Sequence, residues 1–188
     1  KMANRIGKYK VSKKESAISL VDGGVVTGAI IGGAHSVLAA AGETSTSTTD
    51  TETLASASIP ANTLKAGNVL KIRAHGVVVN SNSSDTLTAA ITFGGSTITS
   101  AAALDVANND IVIFDTYITV RTSGGSGTMV ANTKAMVDAP DGASGTGDIM
   151  ASAALDTTSA QTIAFTSDWS SAHANNDFRA ESLVVEII

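Results

Sequence analysis

Three histidines, His35, His75 and His173, have the widest chemical range of any side chains in this chain of 188 residues. None stands in an H-x-H or H-x-x-x-H pair, so a metal centre would need folding to bring all three together with a carboxylate. Satisfied or surface histidines are the expectation, with no metal and no cofactor. Serine is abundant, yet no G-x-S-x-G elbow occurs to expose a nucleophile beside a base. Gly124-Gly125-Ser126-Gly127 has the glycines of a phosphate loop but not the Gly-Lys-Ser/Thr or the helix that would hold the phosphate, and it reads as a hairpin turn. Asp138, Asp141 and Asp148 lie among glycines at spacings that do not match an EF-hand, and aspartate is a common turn former. Trp169, the single tryptophan, is expected to pack under a loop or at a subunit contact. These residues together predict a protein that is not an enzyme.

Charge gives a sharper signal. Lys1, Arg5, Lys8, Lys10, Lys13 and Lys14 hold half of the 12 basic residues, and no acid stands among them. With a net charge of −5 overall, a +6 segment therefore precedes a body of −11. Such asymmetry predicts an anchoring arm, Tyr9 included, that docks outside its own domain, with a solvated tail as the alternative. An acidic body repels phosphate, so nucleic acid is not an expected partner except through the arm. No apolar run approaches the roughly 20 residues of a membrane span, and none has signal-peptide length. The expected product is soluble, made in the cytoplasm and not bound to a membrane. The chain has no cysteine, which excludes a disulfide framework and leaves the compartment open.

The elements that must position these residues are strands. The clearest lies at 69–77, where Val69, Lys71, Arg73, His75 and Val77 share one side and Leu70, Ile72, Ala74 and Gly76 the other. One side is core and the other wet or interfacial, which makes Lys71, Arg73 and His75 candidate contact residues beside Trp169. Further strands are predicted at 87–93, 110–122, 128–137, 162–166 and 183–188. Residues 44–53 read as a loop or a solvated edge strand continuing to Ile59, 100–107 as a helical turn or small-residue loop, and 138–147 as a surface loop. Ser12-Lys13-Lys14-Glu15 has capping-box spacing before a short apolar segment that Asp22-Gly23-Gly24 ends. Turn signals between eight to ten strands, without βαβ alternation, predict an all-β fold. Its form is an antiparallel, jelly-roll-like β-sandwich over 25–188, with an extended N-terminal arm over 1–24.

The run Ile59-Pro60-Ala61-Asn62-Thr63-Leu64-Lys65-Ala66-Gly67-Asn68-Val69-Leu70-Lys71-Ile72-Arg73-Ala74-His75-Gly76 resembles a stretch recurring in virion proteins of tailed bacteriophages. So does the ending, Trp169-Ser170-Ser171 followed by an Asn-rich turn and Leu183-Val184-Val185-Glu186-Ile187. The resemblance implies a jelly-roll structural component of the virion, such as a capsid decoration or cement protein or a particle-surface appendage. It implies a homotrimer whose partners are capsid or other virion proteins. Two alternatives accompany it: a small jelly-roll shell subunit whose arm faces the genome, and a carbohydrate-binding module of a tail or fibre.

Overall fold

The computed structural model describes residues 34–36, 44–46, 50–139 and 142–188. The basic arm with Lys1, Arg5, Lys8, Tyr9, Lys10, Lys13 and Lys14, the capping-box segment, the apolar run 25–31 and Asp141 lie outside the described residues. Every described element is a strand: β1 (Ala34–Ser36), β2 (Thr44–Thr46), β3 (Glu52–Ile59), β4 (Val69–Asn80), β5 (Thr86–Phe93), β6 (Ser96–Asp105), β7 (Ile111–Thr122), β8 (Gly127–Ala139), β9 (Gly142–Leu155), β10 (Gln161–Trp169) and β11 (Asp177–Ile187).

Pairing is antiparallel throughout and forms two sheets. The larger has the order β1-β11-β4-β7-β8-β9, with β2 also on β11, and the smaller has the order β3-β10-β5-β6. Taking β1 and β2 together as the first strand and setting aside the β8–β9 hairpin, eight strands remain, ordered 1-8-3-6 and 2-7-4-5. Except for the β5–β6 hairpin, chain-successive strands thus cross between sheets while each sheet interleaves early and late strands, which is the double Greek key of a jelly roll. The hairpin β8–β9 extends the larger sheet beyond β7.

Alternation explains why these segments become strands. In β4, Leu70, Ile72, Ala74, Gly76 and Val78 are buried while the intervening residues are partly or fully exposed. In β7, Val112, Phe114, Thr116, Ile118 and Val120 are buried in the same way. Three aromatic rings join the sheets across this core. Phe165 of β10 meets Phe114 of β7 at 6.0 Å and 77°, and Phe178 of β11 at 5.8 Å and 85°, both edge-to-face arrangements that suit the ring quadrupoles.

The loops at each end are tied by a buried polar side chain. At one end, Asn176 Nδ2 donates to Asp85 Oδ2 at 2.9 Å and to the Ser171 carbonyl, while its Oδ1 accepts from Asn82 N at 3.0 Å. The amides of Asn176 and Asn82 hold the Asp85 carboxyl below its ordinary value. At the other end, Thr157 joins three connections: its Oγ1 accepts from Gly124 N, its N donates to the Gly124 carbonyl, and its carbonyl accepts from Asn62 N.

Two local expectations change. Residues 100–107 are neither a helical turn nor a loop; most of them belong to β6. Their alanines are compatible with either state locally, and pairing with β5 decides the outcome. A bulge absorbs the irregularity there, with Ala103 at φ 52. Of the expected surface loop at 138–147, all described residues are strand, because β8 offers a continuous ladder that glycines can join. The expected edge strand at 44–59 is present as β2 and β3. The final strand is secured between β1 and β4.

Gly76 is required by close approach. A Cβ there would overlap Phe178 Cζ and lie 2.7 Å from Phe178 Cε2. Gly76→Ala is therefore expected to cost about 1–3 kcal/mol by overpacking, read as a lower denaturant midpoint with an unchanged slope.

Candidate functional site

The two sheets turn different chemistry outward. Strands β3, β5, β6 and β10 contain Glu52, Asp105 and Asp168 but no Lys, Arg or His. Outward positions on this sheet are mostly Ser, Thr and Ala: Ser56 and Ser58 on β3, Thr88, Ala90 and Thr92 on β5, and Thr162, Ala164 and Thr166 on β10. All strand-borne Lys and Arg side chains among the described residues, Lys71, Arg73, Arg121, Lys134 and Arg179, belong to the larger sheet. So do Val79, Ile111 and Tyr117, three of the four large apolar side chains exposed among the described residues, with Tyr117 at 42%.

Strand register arranges the outward residues of the larger sheet in rows. Glu186, Lys71, Tyr117 and Asn132 form one, and Val184, Arg73, Asp115 and Lys134 the next. Ser182, His75, Ile113 and Met136 follow, then Arg179, Val77 and Ile111. Between β4 and β11 the surface dips into a groove of about 260 Å³ lined by Lys71, Arg73, His75, Ser182, Val184 and Glu186. A bulge gives β11 an extra residue at Glu181, which changes the strand's parity there and aims Ser182, Val184 and Glu186 at the groove. Glu181 accepts from Arg179 Nε at 2.7 Å, and the two form an ion pair within β11.

Opposite charges in the other rows do not close on each other. Arg73 and Asp115 are directly cross-strand, as are Lys71 and Glu186, yet neither couple forms an ion pair. Asp115 Oδ1 and His75 Nε2 are buried atoms without a hydrogen-bond partner. Burial lowers the His75 pKa from its ordinary 6.5, the Arg73 charge lowers it further, and Asp115 opposes both. The imidazole is therefore neutral at pH 7. Such a face offers unpaired cations, unpaired anions and apolar surface to a macromolecular contact; it holds no nucleophile with an aligned base.

The sequence placed Lys71, Arg73 and His75 on one outward strand face, and the structure brings them together in the groove. Trp169 does not join them. It is 1% exposed in the core, where the opposed strand residue is Leu87, so it presents no ring to a partner. His75 and His173 do not converge: His75 lies mid-sheet and His173 sits in the exposed loop after β10, while the His35 backbone pairs with Val185. No group of three or more His, Cys, Asp or Glu among the described residues is arranged to hold a metal.

No family model and no curated protein matches the chain. Among solved structures it is similar to the lectin UEA-II complexed with galactose, at 11% identity over 82% of this chain and 92% of that one, with a TM-score of 0.36. It is also similar to the metal-free form of lectin I-B4 from Griffonia simplicifolia, at 11% identity over 84% and 91%, with a TM-score of 0.33.

The lowered His75 pKa gives a signed pH dependence. The unfolded chain takes up a proton near pH 6.5 while the folded chain resists it, so this residue's contribution to stability falls as pH drops below about 6.5. Urea midpoints at pH 7.5 and 5.5 are expected to differ less in His75→Gln than in the parent chain.

Proposed function

We propose that this chain is a non-enzymatic structural subunit of a virus particle, a capsid decoration or cement protein or a surface appendage, attached through its basic N-terminal segment. The observation that carries the reading is the outward face of the larger sheet. It concentrates exposed apolar side chains and unpaired charges on a rigid sandwich, as a protein–protein contact surface requires. The jelly-roll order supports it, since a sheet held by an interleaved strand order presents such a face with little reorganisation on binding.

The basic segment supplies attachment in this reading. Each exposed ion pair contributes at most about 1 kcal/mol, so six cations steer and assist binding but do not hold one subunit alone. Several arms on one assembly raise the effective concentration after the first engages, and retention follows from that multivalency. The smaller sheet bears only acids on its strands and none of the exposed large apolar side chains among the described residues, so it supplies less to such a contact.

Deleting residues 1–14 is expected to leave the β-sheet circular dichroism and unfolding midpoint unchanged while abolishing co-sedimentation with undecorated shells. Stoichiometric co-sedimentation of the truncated chain contradicts the anchoring role. Closed shells formed by the chain alone would instead make it a shell subunit, and saturable signal on a glycan array would favour the carbohydrate-binding alternative.

A further inference from the structure

The outward face of the larger sheet is patterned to pair with itself. Consider a two-fold axis parallel to the strands, lying above the seam between β4 and β7. It exchanges the two strands and preserves position along them, so each β4 residue of one copy faces its own β7 register partner in the other. Arg73 then meets Asp115, Lys71 meets the Tyr117 ring, and Val77 meets Ile111, each contact occurring twice. We propose that a second copy of this chain docks here, face to face and two-fold, through these six residues. The inference rests on reading this face as a contact surface and adds the identity of its occupant.

Two observations favour a second copy over other occupants. First, three of the four rows are complementary to their own reversal: a cation exchanges with an anion, a cation with an aromatic face, and an apolar residue with an apolar residue, while His75 faces Ile113 in the fourth. Secondly, Arg73 and Asp115 make no ion pair within one chain although they are directly opposed, which leaves both charges to a partner. The guanidinium of a second copy answers that carboxylate.

The face is large enough. Strands β11, β4, β7 and β8 span about 19 Å in width and residues 69–78 of β4 about 34 Å in length, on the order of 650 Å² per copy by strand geometry. Pairing then buries about 1,300 Å² in total, above the roughly 1,000 Å² expected of a specific interface. Aligned sheets pack about 10 Å apart, a gap that Arg, Lys and Tyr side chains fill from both sides.

Light scattering on the full chain tests this with two charge reversals. The parent protein is expected to be a dimer, or an even-numbered assembly of dimers. Arg73→Asp and Asp115→Arg, each alone, place like charges against each other twice and are expected to raise the dimer dissociation constant about 10-fold or more. An equimolar mixture of the two variants is expected to regain the dimer mass, since each then supplies the charge the other lacks. Misfolding of either variant cannot produce that rescue. A parent chain that is monomeric or a closed trimer, single variants that dimerise like the parent, or a mixture that stays monomeric overturns the proposal. A monomer that still attaches to shells, and loses attachment in Lys71→Glu, overturns self-pairing while leaving the contact surface and the particle role in place. A dimer with no affinity for shells does the reverse.

Discussion

Phe165 is the contact on which the rest of the fold depends. Placed on β10 in the smaller sheet, it meets two rings of the larger sheet edge-on, Phe114 from β7 and Phe178 from β11. β7 is far from the other two in sequence, and the connection from β10 to β11 crosses from one sheet to the other. The aromatic contact therefore fixes the spacing of the sheets at the point where the chain's last two strands interleave with its earlier ones. Gly76 completes the arrangement by leaving room for the Phe178 ring on β4. Edge-to-face pairs of this kind contribute about 0.5–1.5 kcal/mol beyond the area they bury.

With the sheets locked, the two outward faces are free to differ. One is a lawn of short hydroxyls and alanines with only acidic charges on its strands. The other gathers every strand-borne Lys and Arg among the described residues, with apolar side chains between them. Exposed apolar surface near unpaired charge is retained poorly by a solitary soluble sandwich and well by one that uses the surface. The bulge at Glu181 contributes directly, because without it the following residues of β11 would point into the core instead of the groove.

Much of this was legible in the sequence where period-two alternation was strict. Residues 69–77 revealed a strand, its core side and its outward Lys71, Arg73 and His75, because charged and branched apolar residues alternate there without a break. Segments of small residues were not legible in the same way. Residues 100–107 and the glycine-rich start of β9 carry little intrinsic preference, and their state follows from strands distant in sequence. The β11 half of the groove was hidden for a related reason: a bulge has no local signature in Ala180-Glu181-Ser182, and parity counted along the strand fails there. The core position of Trp169 was not legible, and a place under a loop or at a subunit contact was expected instead, because a lone aromatic ring gives little sign of which surface it covers.

The central claim is that the outward face of the larger sheet is the protein's contact surface. Tyr117 and Ile111 stand on it, 42% and 40% exposed, and report on it directly. Hydroxyl-radical footprinting read by mass spectrometry, on dilute protein and on the assembled or shell-bound form, measures their access to solvent. The account predicts that both lose reactivity on assembly while Thr162 and Ser58 of the smaller sheet keep theirs. Unchanged labelling of Tyr117 and Ile111 in an assembly that protects the smaller sheet would contradict it.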